Sequence, residues 1–328
     1  MKKNKKKRAL ILGVTGQDGS FMAKLLIDKN YAVHGLIRKS ATGNLKNIKD
    51  ITDNKNFIIH HGDLLDNVSL TNAILKSKPH EIYNFADQDH VNWSFELPTY
   101  SFDVTGSSVI NLLEIIKKYS KHSKYFQPLS SNMFGDSINK KQNENEPLTP
   151  LSIYALGKVT AYLACKLYRD VFNLKVYGAI FYNHESEIRP EEYVTRKISK
   201  SAARIFYGKQ SSLILGDINA KIDWGYAKDY VEVAHKIIQQ KKPDFFIIAS
   251  GKKYSVKDFV KKCFSYVGLD YRKYLKIDKK LLRPSKTVSL VGDTKKAQKI
   301  LKYKVKTNLD KLVSIMMDND LEIEKNNF

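Results

Sequence analysis

Apolar and polar positions alternate along the first 180 residues with two different periods. Short β-branched or aromatic runs at 8–13, 32–37, 57–61, 81–85, 125–129 and 175–180 predict buried strands. Between them, stretches such as 21–29, 70–76, 109–118 and 155–172 repeat apolar residues at helical spacing. Strand and helix in strict alternation predict an α/β fold with a doubly wound parallel sheet, because parallel neighbours need a crossover element between them. After residue 182 the pattern loosens into helix-like stretches at 196–207, 229–240, 256–267 and 309–321 and a strand-like run at 244–249. The expected organisation is a sheet domain over 8–181 with a return segment at about 225–250. A smaller interleaved α/β domain then takes 182–224 and about 251–322, and residues 1–7 are a basic tail.

Composition narrows the class. The chain has 328 residues of which 42% are hydrophobic, enough for a sizeable core, which excludes disorder and a small disulfide scaffold. Cys165 and Cys263 lie far apart in sequence with no Cys-x-x-Cys, so no metal knuckle is expected and a reducing cytoplasm fits. No apolar run is long enough to span a membrane, and the run after the basic tail is too short for a signal peptide. A net charge of +22 attracts phosphate-bearing ligands and polyanions alike. Only eight of the 56 basic residues are Arg, however, and the lysines are scattered, which does not make a specific nucleic-acid face.

Two motifs carry chemistry. The first strand runs into Gly13-Val-Thr15-Gly16-Gln17-Asp18-Gly19 and then a helix. That is where backbone must pass close to a pyrophosphate and a helix N-terminus must face it, so a dinucleotide site is expected. The second strand ends at Arg38-Lys39-Ser40 where an NAD site would carry an acid for the ribose 2′-hydroxyl. A cation and a hydroxyl there point to a 2′-phosphate, hence NADP. Asp63 and Leu64, closing the third strand, are candidate adenine contacts. The second motif is Tyr154-Ala-Leu-Gly-Lys158, preceded by Ser130 and Ser131 at the end of the fifth strand. Residues four apart share a helix face, so a lysine cation there can lower the phenol's pKa and let tyrosinate take a proton from a sugar or alcohol hydroxyl.

Together these motifs resemble the extended short-chain dehydrogenase/reductases, whose fold is a Rossmann domain with a smaller substrate domain. Within them the chain is similar to the GDP-mannose 4,6-dehydratase family through Asn183-His-Glu-Ser186, Val194-Thr-Arg-Lys-Ile198, Asp223-Trp-Gly225 and Arg283-Pro284. The resemblance implies cofactor contacts from Gly13, Thr15, Gly16, Gln17, Asp18, Gly19, Arg38, Lys39, Asp63, Leu64, Tyr100, Lys158, His184 and Arg189. It implies nucleotide-sugar contacts from Asn183, Glu185, Lys197 and Arg283, and catalysis by Tyr154, Lys158, Ser130 and the residue at Asn132. It also implies a homodimer or homotetramer acting on a GDP-hexose: C4 is oxidised, water leaves across C5 and C6, and hydride returns to C6.

One departure bears on the reaction. The family reads Ser-Thr-Ser-Glu-Leu-Tyr-Gly where this chain has Leu129-Ser-Ser-Asn-Met-Phe-Gly135, so Asn132 replaces the glutamate that takes the C5 proton. A neutral amide cannot act as that base. Asp87 and Asp89 are carboxylates gained where the family usually has Ala and Ser, and either is a candidate for a relocated base. The alternatives are a 4-keto reductase or epimerase without elimination, and a noncatalytic binding protein on the same scaffold.

Overall fold

The computed structural model describes residues 6–41, 43–282 and 288–326. They form two compact units: the described residues of Met1–Asp136, Glu146–Phe181 and Val231–Phe246, and those of Ser137–Asn145, Tyr182–Tyr230 and Ile247–Phe328. The first unit is built from β1 (Arg8–Leu12), α1 (Gln17–Asp28), β2 (Ala32–Ile37), β3 (Phe57–His61), α2 (Asn67–Ser77) and β4 (Glu81–Asn84). Two short helices follow, α3 (Trp93–Glu96) and α4 (Pro98–Phe102), then a π turn at Asp103–Ser107 that runs straight into α5 (Ser108–Tyr119). The unit continues with β5 (Lys124–Ser130), α6 (Ile153–Asp170) and β6 (Lys175–Phe181). The chain then forms β7 (Asn183–Glu185), α7 (Val194–Phe206), β8 (Leu213–Leu215), β9 (Lys221–Ile222) and β10 (Trp224–Tyr226), passes through α8 (Ala227–Ile238) and β11 (Phe245–Ile248), and ends with β12 (Tyr254–Ser255), α9 (Val256–Tyr266), β13 (Leu275–Ile277), α10 (Lys295–Leu301) and α11 (Leu309–Asn326).

The main sheet has the order β11-β6-β5-β4-β1-β2-β3, and its registers from β3 to β6 are parallel. Helices cover both faces, which is why Ala9, Leu10, Ile11 and Leu12 of β1 are all fully buried and read as a continuous apolar run. The strand order reverses between β1 and β4, and the carboxyl ends of those two strands are where a doubly wound sheet opens a crevice. Capping fixes the start of α6: the Ser152 hydroxyl accepts from Ala155 N at 3.1 Å. The second unit has its own core, in which Ile198 and Ala202 of α7, Phe259 and Phe264 of α9 and Met316 and Met317 of α11 close around Trp224.

The structure draws two boundaries differently from the sequence pattern. The return segment is Val231–Phe246, narrower than expected at both ends. The polar loop at 137–145 belongs to that second unit as well. Its anchor is Gln142, which is buried: its backbone N donates to Val291 O at 3.0 Å, and its side-chain Oε1 accepts from Val291 N at 2.8 Å and from the Tyr182 hydroxyl at 3.1 Å. A low-hydrophobicity run gives no hint of that buried amide.

Candidate active site

The glycine-rich loop is shaped by close backbone approach. Gly13 has φ of +72°, and a Cβ on it would meet Ala86 N, after β4, at 2.6 Å. A Cβ on Gly19 would lie 2.2 Å from Gly13 O, so neither position tolerates a side chain without the loop moving. Gly16 caps α1 with no side-chain hydrogen bond, which leaves the first N–H groups of the helix facing the loop. Gln17 and Asp18 open the helix, joined by a 3.2 Å hydrogen bond, and Thr15 O accepts from Asn47 Nδ2 at 2.9 Å. This cradle fits a dinucleotide pyrophosphate. Past β2, Arg38 and Lys39 are exposed, and Arg38 Nη1 donates to the Tyr100 hydroxyl at 3.2 Å. Two expected cofactor residues far apart in sequence are thereby brought together. Asp63 forms an Asx turn, accepting from Leu65 N at 2.9 Å, while Leu64 is buried beside it.

Tyr154 and Lys158 sit on the buried face of α6, one turn apart. The ammonium lies 5.7 Å from the phenol ring centroid, 2.6 Å from Asp87 Oδ2 and 3.0 Å from Pro128 O. Pro128 is tolerated in β5 because the ladder with β4 stops at Phe126, so the missing N–H interrupts no bond there. Ser130, at the end of β5, hydrogen-bonds the Tyr154 phenol, and its Oγ accepts from Asn132 N at 3.2 Å. Asn132 therefore lies on the short 3₁₀ turn Ser131–Phe134, half-buried.

Lys158 lowers the phenol's pKa, as its place on the helix face leads one to expect, but burial outweighs it. Burial pushes Tyr154 up to about 12; Lys158 and the Ser130 hydroxyl pull it down, while Asp87 and Asp89 push it further up. Burial opposes the charge on Lys158, but Asp87, with Tyr154 and Asp89, outweighs it and holds the ammonium above the ordinary lysine value. Asp87 is itself engaged by three donors, since Oδ1 also accepts from Thr105 Oγ1 at 2.7 Å and Gln88 N at 2.8 Å. That makes it a fixed counter-ion and a poor candidate for the relocated base. Asp89 is exposed on the same segment.

The second unit holds the other expected contacts. Asn183, His184 and Glu185 form β7, paired in parallel with β10 through Asn183↔Trp224 and Glu185↔Tyr226. Asn183 is exposed, and His184 Nδ1 contacts Tyr182 O at 2.8 Å and stacks on Tyr230. Glu185 is buried, accepting from Thr195 Oγ1 at 2.6 Å with Arg189 Nε at 3.5 Å, and the Arg189 guanidinium lies over the Tyr193 ring. Lys197 is half-buried on α7. Arg283 lies outside the described residues.

Sequence reasoning missed Thr105 and the glycines that place it. A Cβ on Gly157 would fall 2.9 Å from Thr105 Cβ, and one on Gly106 would fall 3.2 Å from Gly157 Cα. The glycine inside Tyr154-Ala-Leu-Gly-Lys158, unusual in a helix interior, was the available signal. Among the described residues no cluster of metal-ligating side chains occurs, and no helix is long and apolar enough to cross a membrane.

The sequence model of GDP-mannose 4,6 dehydratase matches residues 10–316. GDP-mannose 4,6 dehydratase 1 of Arabidopsis thaliana is 41% identical over 330 residues, covering 98% of this chain and 91% of the relative. Among solved structures, the dTDP-glucose 4,6-dehydratase DesIV of Streptomyces venezuelae, with NAD and TYD bound, superposes with a TM-score of 0.84 at 18% identity over 98% of both chains. RMD from Pseudomonas aeruginosa, complexed with NADPH, gives 0.80 at 16% identity over 97% of this chain and 99% of that one. The fold, the glycine-rich loop and the family match over nearly all of the chain agree, and the chain belongs to the GDP-mannose 4,6-dehydratase family.

Proposed function

We propose that the protein is an NADP-dependent nucleotide-sugar 4,6-dehydratase, converting GDP-mannose to GDP-4-keto-6-deoxymannose. The observation that carries this reading is the family match across residues 10–316, spanning the glycine-rich loop, the Ser130, Tyr154 and Lys158 cluster and β7. Gly13, Gly16 and Gly19 of the loop would hold a nicotinamide cofactor, which would supply the hydride acceptor and donor for the two redox steps. The exposed Arg38 and Lys39, with Tyr100 beside Arg38, favour the 2′-phosphate of NADP. Tyr154 takes the proton of the C4 hydroxyl as hydride leaves C4, and the Ser130 hydroxyl orients that oxygen. Once C4 is a ketone its neighbouring C5 proton is acidic. Its removal, with a proton delivered to the departing C6 oxygen, would expel water, and hydride return to C6 together with a proton returned to C5 would complete the reaction.

Asn132 cannot remove the C5 proton, and Asp87 is tied to Lys158. Asp89, on the same segment as Asp87 and near enough to act on both Tyr154 and Lys158, is the remaining carboxylate of that segment and our candidate base. The same Asn132 favours a second reading, a 4-keto reductase or epimerase that keeps the redox step and omits elimination.

Leu156, Leu163 and Leu167 leave an exposed apolar stripe on α6, which supports assembly with a second copy of the chain as a homodimer or homotetramer. The two buried free thiols, Cys165 and Cys263, fit a cytoplasmic protein. The function is tested by incubating the protein with GDP-mannose and NADP and identifying the product by mass and NMR. A 4-keto-6-deoxy sugar is expected; a sugar that keeps its C6 hydroxyl overturns the assignment.

A further inference from the structure

Three parts of the first unit converge on one carboxylate. Asp87, on the segment after β4, accepts from the Lys158 ammonium of α6 at 2.6 Å, from the Thr105 hydroxyl of the π turn at 2.7 Å and from Gln88 N at 2.8 Å. The π turn reaches this position because Gly106 and Gly157 let its backbone lie directly on α6, with Thr105 against Gly157. The ammonium's second partner, Pro128 O at 3.0 Å, is a carbonyl fixed within a strand. Both side chains of the ion pair are well buried, 5% and 13% exposed, so the pair is desolvated and its geometry counts.

We propose that Asp87 is a positioning residue that fixes the Lys158 ammonium between its own carboxylate and the Pro128 carbonyl, and so withholds that positive charge from the Tyr154 oxygen. The proposal rests on the reading of Tyr154 and Lys158 as the proton-transfer pair. A cation with its anion 2.6 Å away acts on the phenol as a dipole, whose field falls off faster than that of a lone charge. The charged groups facing the phenol are Lys158 on α6 and Asp87 and Asp89 from the segment after β4, with the Ser130 hydroxyl at the end of β5. One cation stands against two carboxylates, so burial of the phenol goes largely uncompensated.

The test is made on the full-length protein without substrate. Tyrosine labelled with ¹³C at the ring carbon bearing oxygen gives a Tyr154 resonance, assigned by its absence in Tyr154→Phe. In the parent that resonance should stay short of its midpoint up to about pH 11, and in Asp87→Asn it should titrate at least about tenfold more readily, one pH unit lower. Equal titration in the two proteins overturns the proposal. A second measurement needs no variant at position 87: with ¹⁵N-labelled lysine, the parent Lys158 signal, assigned by Lys158→Arg, should remain that of an ammonium at about pH 11. Deprotonation at or below the ordinary lysine value would also overturn it. Because neither readout involves turnover, a protein that shows both effects yet never dehydrates GDP-mannose would refute the proposed function and leave the role of Asp87 standing.

Discussion

Arg38 and Tyr154 each turn one side chain into a measurable property. Arg38 is exposed and hydrogen-bonded to the Tyr100 hydroxyl, a guanidinium aimed by a phenol at the end of β2. If it holds a 2′-phosphate, NADP binds at least about tenfold more tightly than NAD, a difference of about 1.4 kcal/mol. Arg38→Asp reverses that order by calorimetry, and equal affinities for the two cofactors in the parent would remove the NADP assignment. Tyr154→Phe keeps the buried ring and deletes the oxygen proposed to move the proton, so turnover should fall by about 10²-fold or more while cofactor binding persists. Near-parental turnover in that variant would reduce Tyr154 to a packing residue. The phenol's pKa of about 12 adds a sign: the ionised fraction grows with pH throughout the neutral range. The kcat/KM of the parent should accordingly rise with pH between about pH 7 and 9.

The elements show how much of this was legible in the sequence. β2 and β3 run over Ala32–Ile37 and Phe57–His61, as the apolar runs predict; β2 is buried along nearly its whole length, while β3, at the sheet edge, keeps Ile58 and His61 exposed and is marked by its aromatic and β-branched start. The short strands β7 to β10 were not legible, since two or three residues carry no periodicity and owe their pairing to distant partners such as Trp224 for Asn183. The Gly-rich turn and Tyr154 and Lys158 were legible as spacing. The capture of Lys158 by Asp87 was not, because it depends on how a π turn beds onto α6 through Gly106 and Gly157. At the start of α1 the spacing and the contact agree, and Gly19→Ala tests both. Its Cβ would sit 2.2 Å from Gly13 O, so the loop must shift at a cost of roughly 1–3 kcal/mol, lowering the Tm and weakening dinucleotide binding together. An unchanged Tm with parental binding would mean that the loop is looser than its glycines indicate.

On the scale of the whole molecule, the second unit depends on a buried charge. Asp320 of α11 is fully buried, 2.6 Å from Arg196 Nη2 and from Ser199 Oγ on α7. Removing one member of such a pair leaves the other charged and unpartnered, so Asp320→Asn should cost roughly 3–5 kcal/mol. The chain's two tryptophans lie in different units, and Trp224 in the core of the second reports its unfolding in urea once Trp93 is replaced by Phe. A midpoint that does not move would show that the Arg196 and Asp320 pair is dispensable.

The central claim is that a scaffold with asparagine at 132 still eliminates water, and it is tested most directly by running the reaction in deuterated water with GDP-mannose and NADP. A 4,6-dehydratase must take the C5 proton and give one back from solvent, so the product should carry deuterium at C5, lack the C6 hydroxyl, and disappear in Asp89→Asn. Oxidation or reduction at C4 with C5 unlabelled and the C6 hydroxyl retained would contradict the account and leave the reductase or epimerase in its place.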